Sequence, residues 1–535
     1  MTVLTGSQAI VQALRNEGVD AVFGIPGYHN LALWNALADH PEIRAISVRH
    51  EQGAGYMAIG YARVTGRFGV LLATTGPGAL NSATPLGEAY GDSVPVLSVM
   101  SEIESCWIGK YKGAYHESKD QLGVFERLSG WAVRAVDVAD IPRLIREGVR
   151  VMSTQRPRPA VVEVPSDLLT AEAEVAFPAP ETFARPSPDP RLLRRAAEML
   201  ARATAPIIWA GGGVVSAEAW TELVALAELL QAPVLTTTQS RGAIPEDHPL
   251  CLGNIAFHHV TQEYLKRCDL TLAVGTRFGQ GTTVNWTVQP PQPLVHVDID
   301  GLTIGRSYPT ALGIVGDAKA ALAGLLAELD GIPRRPDRGG EVAAVKAEIE
   351  RRLQEKAPLA MQVMRALREA LAPDAIVACD PTIVCYWGRH HFPVYRPRTF
   401  LYPMGYGTLG YAYPVGLGAK VAAPERQVVA LHGDGGFLFT AQEMATAAQY
   451  GIAVPVVVFN DNAYGVIRDG MVGRFGRHYG AELRNPDFVK MAEAFGLDAT
   501  RVPVEALART LEEALQSKRP TLVEVPLSMK RQFAV

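Results

Sequence analysis

The sequence predicts three doubly wound α/β domains in series. Three observations carry that expectation. Short unbroken Val/Ile/Leu runs alternate with helix-period stretches, as in parallel sheets covered by helices on both faces. At 535 residues the chain is too long for one hydrophobic core. Two Pro-rich stretches without an apolar period, 176–190 and 330–340, read as connectors. They divide the chain into expected domains at 1–175, 190–328 and 355–535.

In the first domain the apolar runs 20–24, 43–49, 69–74 and 95–100 read as buried strands, with an Ala-rich helix over 52–65. In the middle domain 206–210, 233–238, 270–274 and 294–299 repeat the pattern. In the last, 375–379, 427–432 and 454–460 do so again, with a helix over 441–450 that Gly451 ends. In such sheets ligands gather at the carboxyl ends of the strands.

Bulk composition excludes several classes. Hydrophobic residues make up 48% and charged residues 20%, an ordinary globular balance. A net charge of −4 leaves no basic footprint for nucleic acid. No apolar run reaches the ~18 residues of a membrane span, and residues 1–12 lack a secretory signal pattern. A cytoplasmic location is expected. The cysteines, Cys106, Cys251, Cys268, Cys379 and Cys385, form no Cys-x-x-Cys pair and read as reduced thiols rather than a disulfide or zinc framework.

The most informative stretch is 427–465. A strand runs into Gly433-Asp434-Gly435-Gly436, a helix follows, and a second strand runs into Asn460-Asp461-Asn462. A right-handed crossover places these strands parallel and adjacent, so Asp434 and Asp461 leave the same sheet edge. Two carboxylates with glycines beside them suit a hard divalent cation carrying a phosphate. A lone Gly-Asp-Gly reads first as a helix cap; the second polar cluster at the end of the next strand weakens that reading. In the first domain, Glu51 stands between a strand and a helix start, where a dipole partner or cap is the simple reading. Phe23-Gly24-Ile25-Pro26-Gly27 and Thr75-Gly76-Pro77-Gly78 follow two strands of the same sheet and are, singly, ordinary turns.

Together these residues resemble the thiamine diphosphate enzymes of the acetolactate synthase and pyruvate decarboxylase superfamily. The resemblance spans nearly the whole chain and includes Arg49-His50-Glu51-Gln52-Gly53-Ala54. It implies that Asp434, Asp461 and the backbone carbonyl of Ala463 bind magnesium. Gly433, Gly435, Gly436, Asn462, Tyr464 and Gly465 would line the diphosphate, together with Thr382. The family usually has Asn where Asp461 stands; Asp keeps the oxygen ligand and adds a charge. Glu51 would activate the coenzyme through its pyrimidine ring, supported by Gly24, Pro26, Gly27, Thr75 and Gly76. Gly407 and Leu409 would support the bent coenzyme. Cofactor sites in this family lie between two chains, which implies a homodimer or homotetramer.

Two departures bear on the reaction. Acetolactate synthases place Gln where His116 stands and Trp where Gly470 stands. Related decarboxylases use histidines as proton donors, which makes His116 and His29 candidate catalytic relays. Tyr28, His29, His116, Ile467, Asp469 and Gly470 are candidate substrate contacts, and Glu117 and Arg468 candidate contacts to the substrate's far end. An acidic pocket would hint at a cationic 2-oxo acid. Gly211-Gly212-Gly213 lacks the spacing of a dinucleotide fingerprint. Some relatives carry a non-catalytic FAD on this domain and many carry nothing, so FAD is not the expectation. The expected function is non-oxidative decarboxylation of a 2-oxo acid to an aldehyde, with or without carboligation. The alternatives are acetolactate-type carboligation and, in another class, a thiamine diphosphate-binding regulatory protein without turnover.

Overall fold

A computed structural model describes residues 2–179 and 181–529. Pro180, inside the first expected connector, lies outside the described residues. Each segment holds one six-stranded parallel sheet. The first contains β1 (Ala21–Gly24), β2 (Arg44–Ser47), β3 (Gly69–Ala73), β4 (Val96–Glu102), β5 (Trp131–Arg134) and β6 (Ala160–Pro165), ordered β2-β1-β3-β4-β6-β5. The middle one contains β7 (Pro206–Ala210), β8 (Val234–Thr236), β9 (Cys251–Gly253), β10 (Leu270–Val274), β11 (Leu294–Asp298) and β12 (Leu312–Val315), ordered β9-β8-β7-β10-β11-β12. The last contains β13 (Ile376–Cys379), β14 (Phe400–Leu401), β15 (Val428–Gly433), β16 (Val456–Asn460), β17 (Asp498–Arg501) and β18 (Thr521–Pro526), ordered β14-β13-β15-β16-β18-β17. The three-domain α/β architecture is therefore as the alternating pattern predicts. An antiparallel pair, Thr2–Thr5 with Glu172–Val175, ties the two ends of the first domain together.

The central strands are buried along their length, as their continuous apolar character requires. Five helices position the site. They are α1 (Glu51–Thr65), α2 (Ala83–Asp92), α3 (Ala412–Ala422), α4 (Glu443–Tyr450) and α5 (Gly465–Phe475). Helix α1 begins one residue earlier than its periodicity suggests, because His50 caps it: the imidazole Nδ1 accepts from the Gln52 N–H at 3.1 Å. Gly451, with φ 61°, closes α4.

The first and third domains join through α1 against α3, within one continuous core containing Tyr56, Met57, Ile59, Val415 and Leu417. Two glycines permit the approach. A Cβ on Gly60 would run into the carbonyl oxygen of Val415, and one on Gly418 into that of Met57. Among the described residues no helix is long and apolar enough to cross a membrane.

Gly60→Val should therefore force the helices apart. The expected cost is about 3 kcal/mol, the upper range for overpacking, read as a lowered melting temperature by calorimetry. An unchanged melting temperature would show that this contact does not hold the domains.

Candidate functional site

Glu51 is the first residue of α1 and is buried. Its Oε2 accepts from the Asn81 side-chain amide at 3.0 Å. Gly78 leaves space for the other oxygen: a Cβ there would lie 3.0 Å from Oε1. The turn carrying Gly78 is fixed from below. The Thr75 N–H donates to Ser101 Oγ at 2.9 Å and the Gly76 N–H to Gln121 Oε1 at 2.7 Å. Gln121 in turn donates to Glu163 at 2.9 Å, and burial, reinforced by Glu102, pushes Glu163 up to about 7. Gly76 has φ +67°, a conformation that favours glycine. Gly24 passes close to Leu72 of the neighbouring strand. After Pro26, the Gly27 N–H donates to Asn30 Oδ1 at 2.6 Å, and a Cβ on Gly27 would strike Thr74 at 2.6 Å.

Both candidate histidines come to this edge. The rings of His29 and His116 lie 5.1 Å apart, with Tyr115 against each and Tyr28 at the rim. A Cβ on Gly76 would sit 2.5 Å from the His116 carbonyl oxygen, so the His116 loop lies directly on the glycine turn. The Nδ1 atoms of both histidines are buried without a hydrogen-bond partner. Burial, and then His116, hold His29 below its ordinary pKa, opposed by Glu104. Glu117 is used locally: its Oε2 accepts from the Gly113 and Ala114 N–H groups at 2.7 and 3.1 Å.

In the third domain β15 and β16 are parallel neighbours, with Gly433 opposite Phe459. Asp434 and Asp461 accordingly leave one edge. Asp434 is buried, and its Oδ2 accepts from Asn485 Nδ2 at 2.6 Å and the Ala463 N–H at 3.2 Å. Burial raises the pKa of Asp434, and burial followed by Asp434 raises that of Asp461. Asp461 Oδ2 accepts from Arg468 at 3.0 Å. Asn462 takes φ +54° to turn the chain, and Tyr464 covers Gly435, where a Cβ would lie 2.5 Å from its ring. Gly465 opens α5 against Asp461, and Thr382 faces Gly433, its Oγ1 2.7 Å from the position of a Cβ there. Gly407 has φ +75°, and Leu409 packs near Gly436.

These residues fit a magnesium diphosphate. The two desolvated, mutually repelling carboxylates have one guanidinium between them, on Asp461, and two carboxylates supplemented by phosphate oxygens suit magnesium. Among the described residues there is no cluster of three or more His, Cys, Asp or Glu able to hold a metal alone. Only glycine fits at Gly433, Gly435 and Gly436, where a Cβ would collide with Thr382, Tyr464 or Asp380, and a glycine turn at a strand end can offer backbone N–H groups to a phosphate. The Gly-Asp-Gly-Gly segment is itself a short helical turn, Asp434–Phe437, rather than a loop.

Sequence reasoning missed Asn81, Asn485, Gln121 and Asp380. Asp380 is fully buried and accepts from the Tyr411 N–H at 2.7 Å, holding the start of α3 beside Gly436. Helix α5 buries none of its residues against its own chain and leaves Ile467, Val472 and Phe475 exposed. Asp469 lies 3.6 Å from Arg468, and the space beside Gly470 is open. No hydrogen bond or ion pair among the described residues joins Glu51 to Asp434 or Asp461 within the chain. A separate cavity of about 1490 Å3 opens between the domains. Gly212, Gly213, Arg156, Arg277, Arg306 and Arg398 line it, a cationic wall. Burial and the neighbouring Arg277 and Arg158 hold Arg156 down to about 10.

Three family models match the chain. They are the N-terminal TPP-binding domain of thiamine pyrophosphate enzymes over 4–124, the central domain over 193–325 and the C-terminal TPP-binding domain over 382–525. A probable 2-ketoarginine decarboxylase of Pseudomonas aeruginosa is 40% identical, over 98% of this chain and 94% of its own. An acetolactate synthase large subunit of Corynebacterium glutamicum is 35% identical, over 97% of this chain and 86% of its own. A probable acetolactate synthase large subunit of Methanocaldococcus jannaschii is 33% identical, over 98% and 92%.

A depressed His29 pKa means that protonation opposes folding. Stability should fall as pH drops below about 6.5, the ordinary imidazole value, toward the lowered one. His116→Gln should move the His29 titration upward, read by NMR of the ring nitrogens. An unmoved titration would show that the two rings are not coupled.

Proposed function

Because this chain belongs to the thiamine pyrophosphate enzymes, in the branch that holds acetolactate synthases and 2-oxo acid decarboxylases, we propose that it decarboxylates a 2-oxo acid without oxidation and releases an aldehyde. The observation that carries this reading is the His29–His116 pair, its Nδ1 atoms buried without partners, packed on the turn beside Glu51. Loss of carbon dioxide leaves the former carbonyl carbon in need of a proton. A histidine pair can relay one there. The relative named a 2-ketoarginine decarboxylase supports a substrate with a guanidino group.

In this proposal Asp434, Asp461 and the Ala463 carbonyl hold magnesium, and the glycines 433, 435 and 436 with Asn462 and Tyr464 hold the diphosphate. When bound, thiamine diphosphate supplies an acidic thiazolium C–H and an electron sink for carbon dioxide release. Glu51 holds and returns a proton at the pyrimidine ring, in a pocket that excludes water. Leu409 supports the coenzyme from the third domain. The atoms balance: one 2-oxo acid anion and one proton give one aldehyde and one carbon dioxide.

We further propose that the site forms between two copies of the chain. The first domain exposes Tyr28, Leu31, Leu80 and Tyr115, and the third exposes Phe439, Ile467 and Phe475, the last two on α5. Large apolar side chains grouped in this way mark surfaces that another chain covers. Carboligation of two 2-oxo acids is the second reading, supported by the acetolactate synthase relatives and the open space at Gly470. The cationic middle-domain cavity supports an anionic auxiliary ligand, and visible flavin absorbance of the purified protein would identify FAD there.

Glu51→Gln should keep cofactor binding and lose turnover by at least about a hundredfold. Mixing Glu51→Gln with Asp434→Asn subunits should restore activity, to about a quarter of wild type for random dimers. No recovery in assembled hybrids would overturn a site shared between chains. A panel of 2-oxo acids with and without an aldehyde acceptor, read by product identification, separates the two reactions. Acetolactate as the main product from pyruvate would select the second.

A further inference from the structure

The first and third sheets share one strand order, so the two domains are copies of one topology. In each, a central helix follows the second strand: α1 after β2 and α3 after β14. In each, a further helix follows the glycine turn after the third strand: α2 after β3 and α4 after β15. Two glutamates cross between the copies. Glu88 on α2 reaches into the third domain, where its oxygens accept from the N–H groups of Tyr406 at 3.4 Å and Thr408 at 3.2 Å. Glu443 opens α4 and reaches into the first domain. It accepts from the Arg49 N–H at 3.2 Å and the His50 N–H at 3.1 Å, and from the Thr446 hydroxyl at 2.6 Å. Both side chains are fully buried. Gly53 makes room for one of them: a Cβ there would lie 2.5 Å from Glu443 Oε1.

Each contact ends one residue before a side chain assigned above to the cofactor. His50 precedes Glu51, and Thr408 precedes Leu409. Burying a carboxylate is costly, and an apolar side chain would pack the domains together at lower cost. Burial pushes Glu443 up to about 7 and Glu88 up to about 8, which expresses that cost. A carboxyl group contributes what an apolar residue cannot, namely directional acceptance from named backbone N–H groups.

We propose that Glu443 and Glu88 are reciprocal positioning residues, each fixing from the opposite domain the backbone that aims one cofactor-contacting side chain, Glu51 in the first case and Leu409 in the second. The inference rests on the roles proposed for those two residues.

The test compares Glu443→Gln, Thr446→Val, Glu88→Gln and Glu51→Gln in the full-length protein. The readouts are regional hydrogen exchange, calorimetric affinity for thiamine diphosphate with magnesium, and turnover. Glutamine keeps the volume but sets an amide N–H2 against the backbone donors. Glu443→Gln should speed exchange at 49–51 and lower turnover at saturating cofactor by at least about tenfold, the scale of a small misplacement. In the Glu51→Gln background it should add almost nothing. Glu88→Gln should speed exchange at 406–409 and weaken cofactor affinity more than turnover. Thr446→Val should repeat the Glu443→Gln pattern in milder form, and it carries the test if Glu443→Gln does not fold. Wild-type turnover with unchanged exchange at 49–51 in both Glu443→Gln and Thr446→Val would overturn the inference, as would full additivity with Glu51→Gln. Wild-type turnover in Glu51→Gln would instead overturn the function proposed above.

Discussion

The crossing of α1 and α3 is the contact on which the rest of the structure depends. Gly60 and Gly418 let each helix lie on the other's backbone carbonyls, with no side chain between them. That close approach does two things. It merges the cores of the first and third domains into one body containing Tyr56, Tyr411 and Tyr413. It also sets the start of α1, where Glu51 stands, at a fixed place relative to the glycine turns of the third domain. Packed interiors deform little, so this geometry carries over to any chain that docks on the exposed edge.

At that edge the electrostatics are unbalanced on purpose. Asp434 and Asp461 leave neighbouring strands, lose water and repel one another. A fold selected for stability alone would not place them together, because a buried carboxylate beside another costs roughly several kcal/mol and Arg468 reaches only Asp461 of the two. In the function proposed above, a divalent cation carrying an anion would repay that cost. Local rules are broken where the function requires it.

Much of this was legible in the sequence. The β15 to β16 unit announced itself, because a continuous apolar strand running into glycines allows few structures. The parallel sheets followed from the same runs. What could not be read was of two kinds. Short or half-buried edge strands, such as β5 and β17, carry too little apolar pattern to stand out. Partners far apart in sequence leave no local trace: Asn485 reaches Asp434 across 51 residues, and Glu443 reaches His50 across 393. The start of α1 was displaced by one residue because a histidine, an uncommon cap, closes it. Glu117, expected near substrate, caps its own turn instead, since its carboxylate finds two backbone donors within four residues.

The aspartate at position 461 then has a physical account. Where relatives were expected to carry a neutral amide, this chain adds a negative charge beside Asp434. Arg468, carried round by α5, meets it at 3.0 Å and also lies within 4 Å of Asp469 and Glu482. One guanidinium therefore faces three carboxylates, and the local charge stays negative. Asp469 is already paired, so it offers a cationic substrate less than its isolated charge suggests. On the function proposed above, discrimination would fall instead to shape, through the open space at Gly470. On that reading a substrate with a long tail would be accommodated by what is missing at position 470 more than by what is charged beside it.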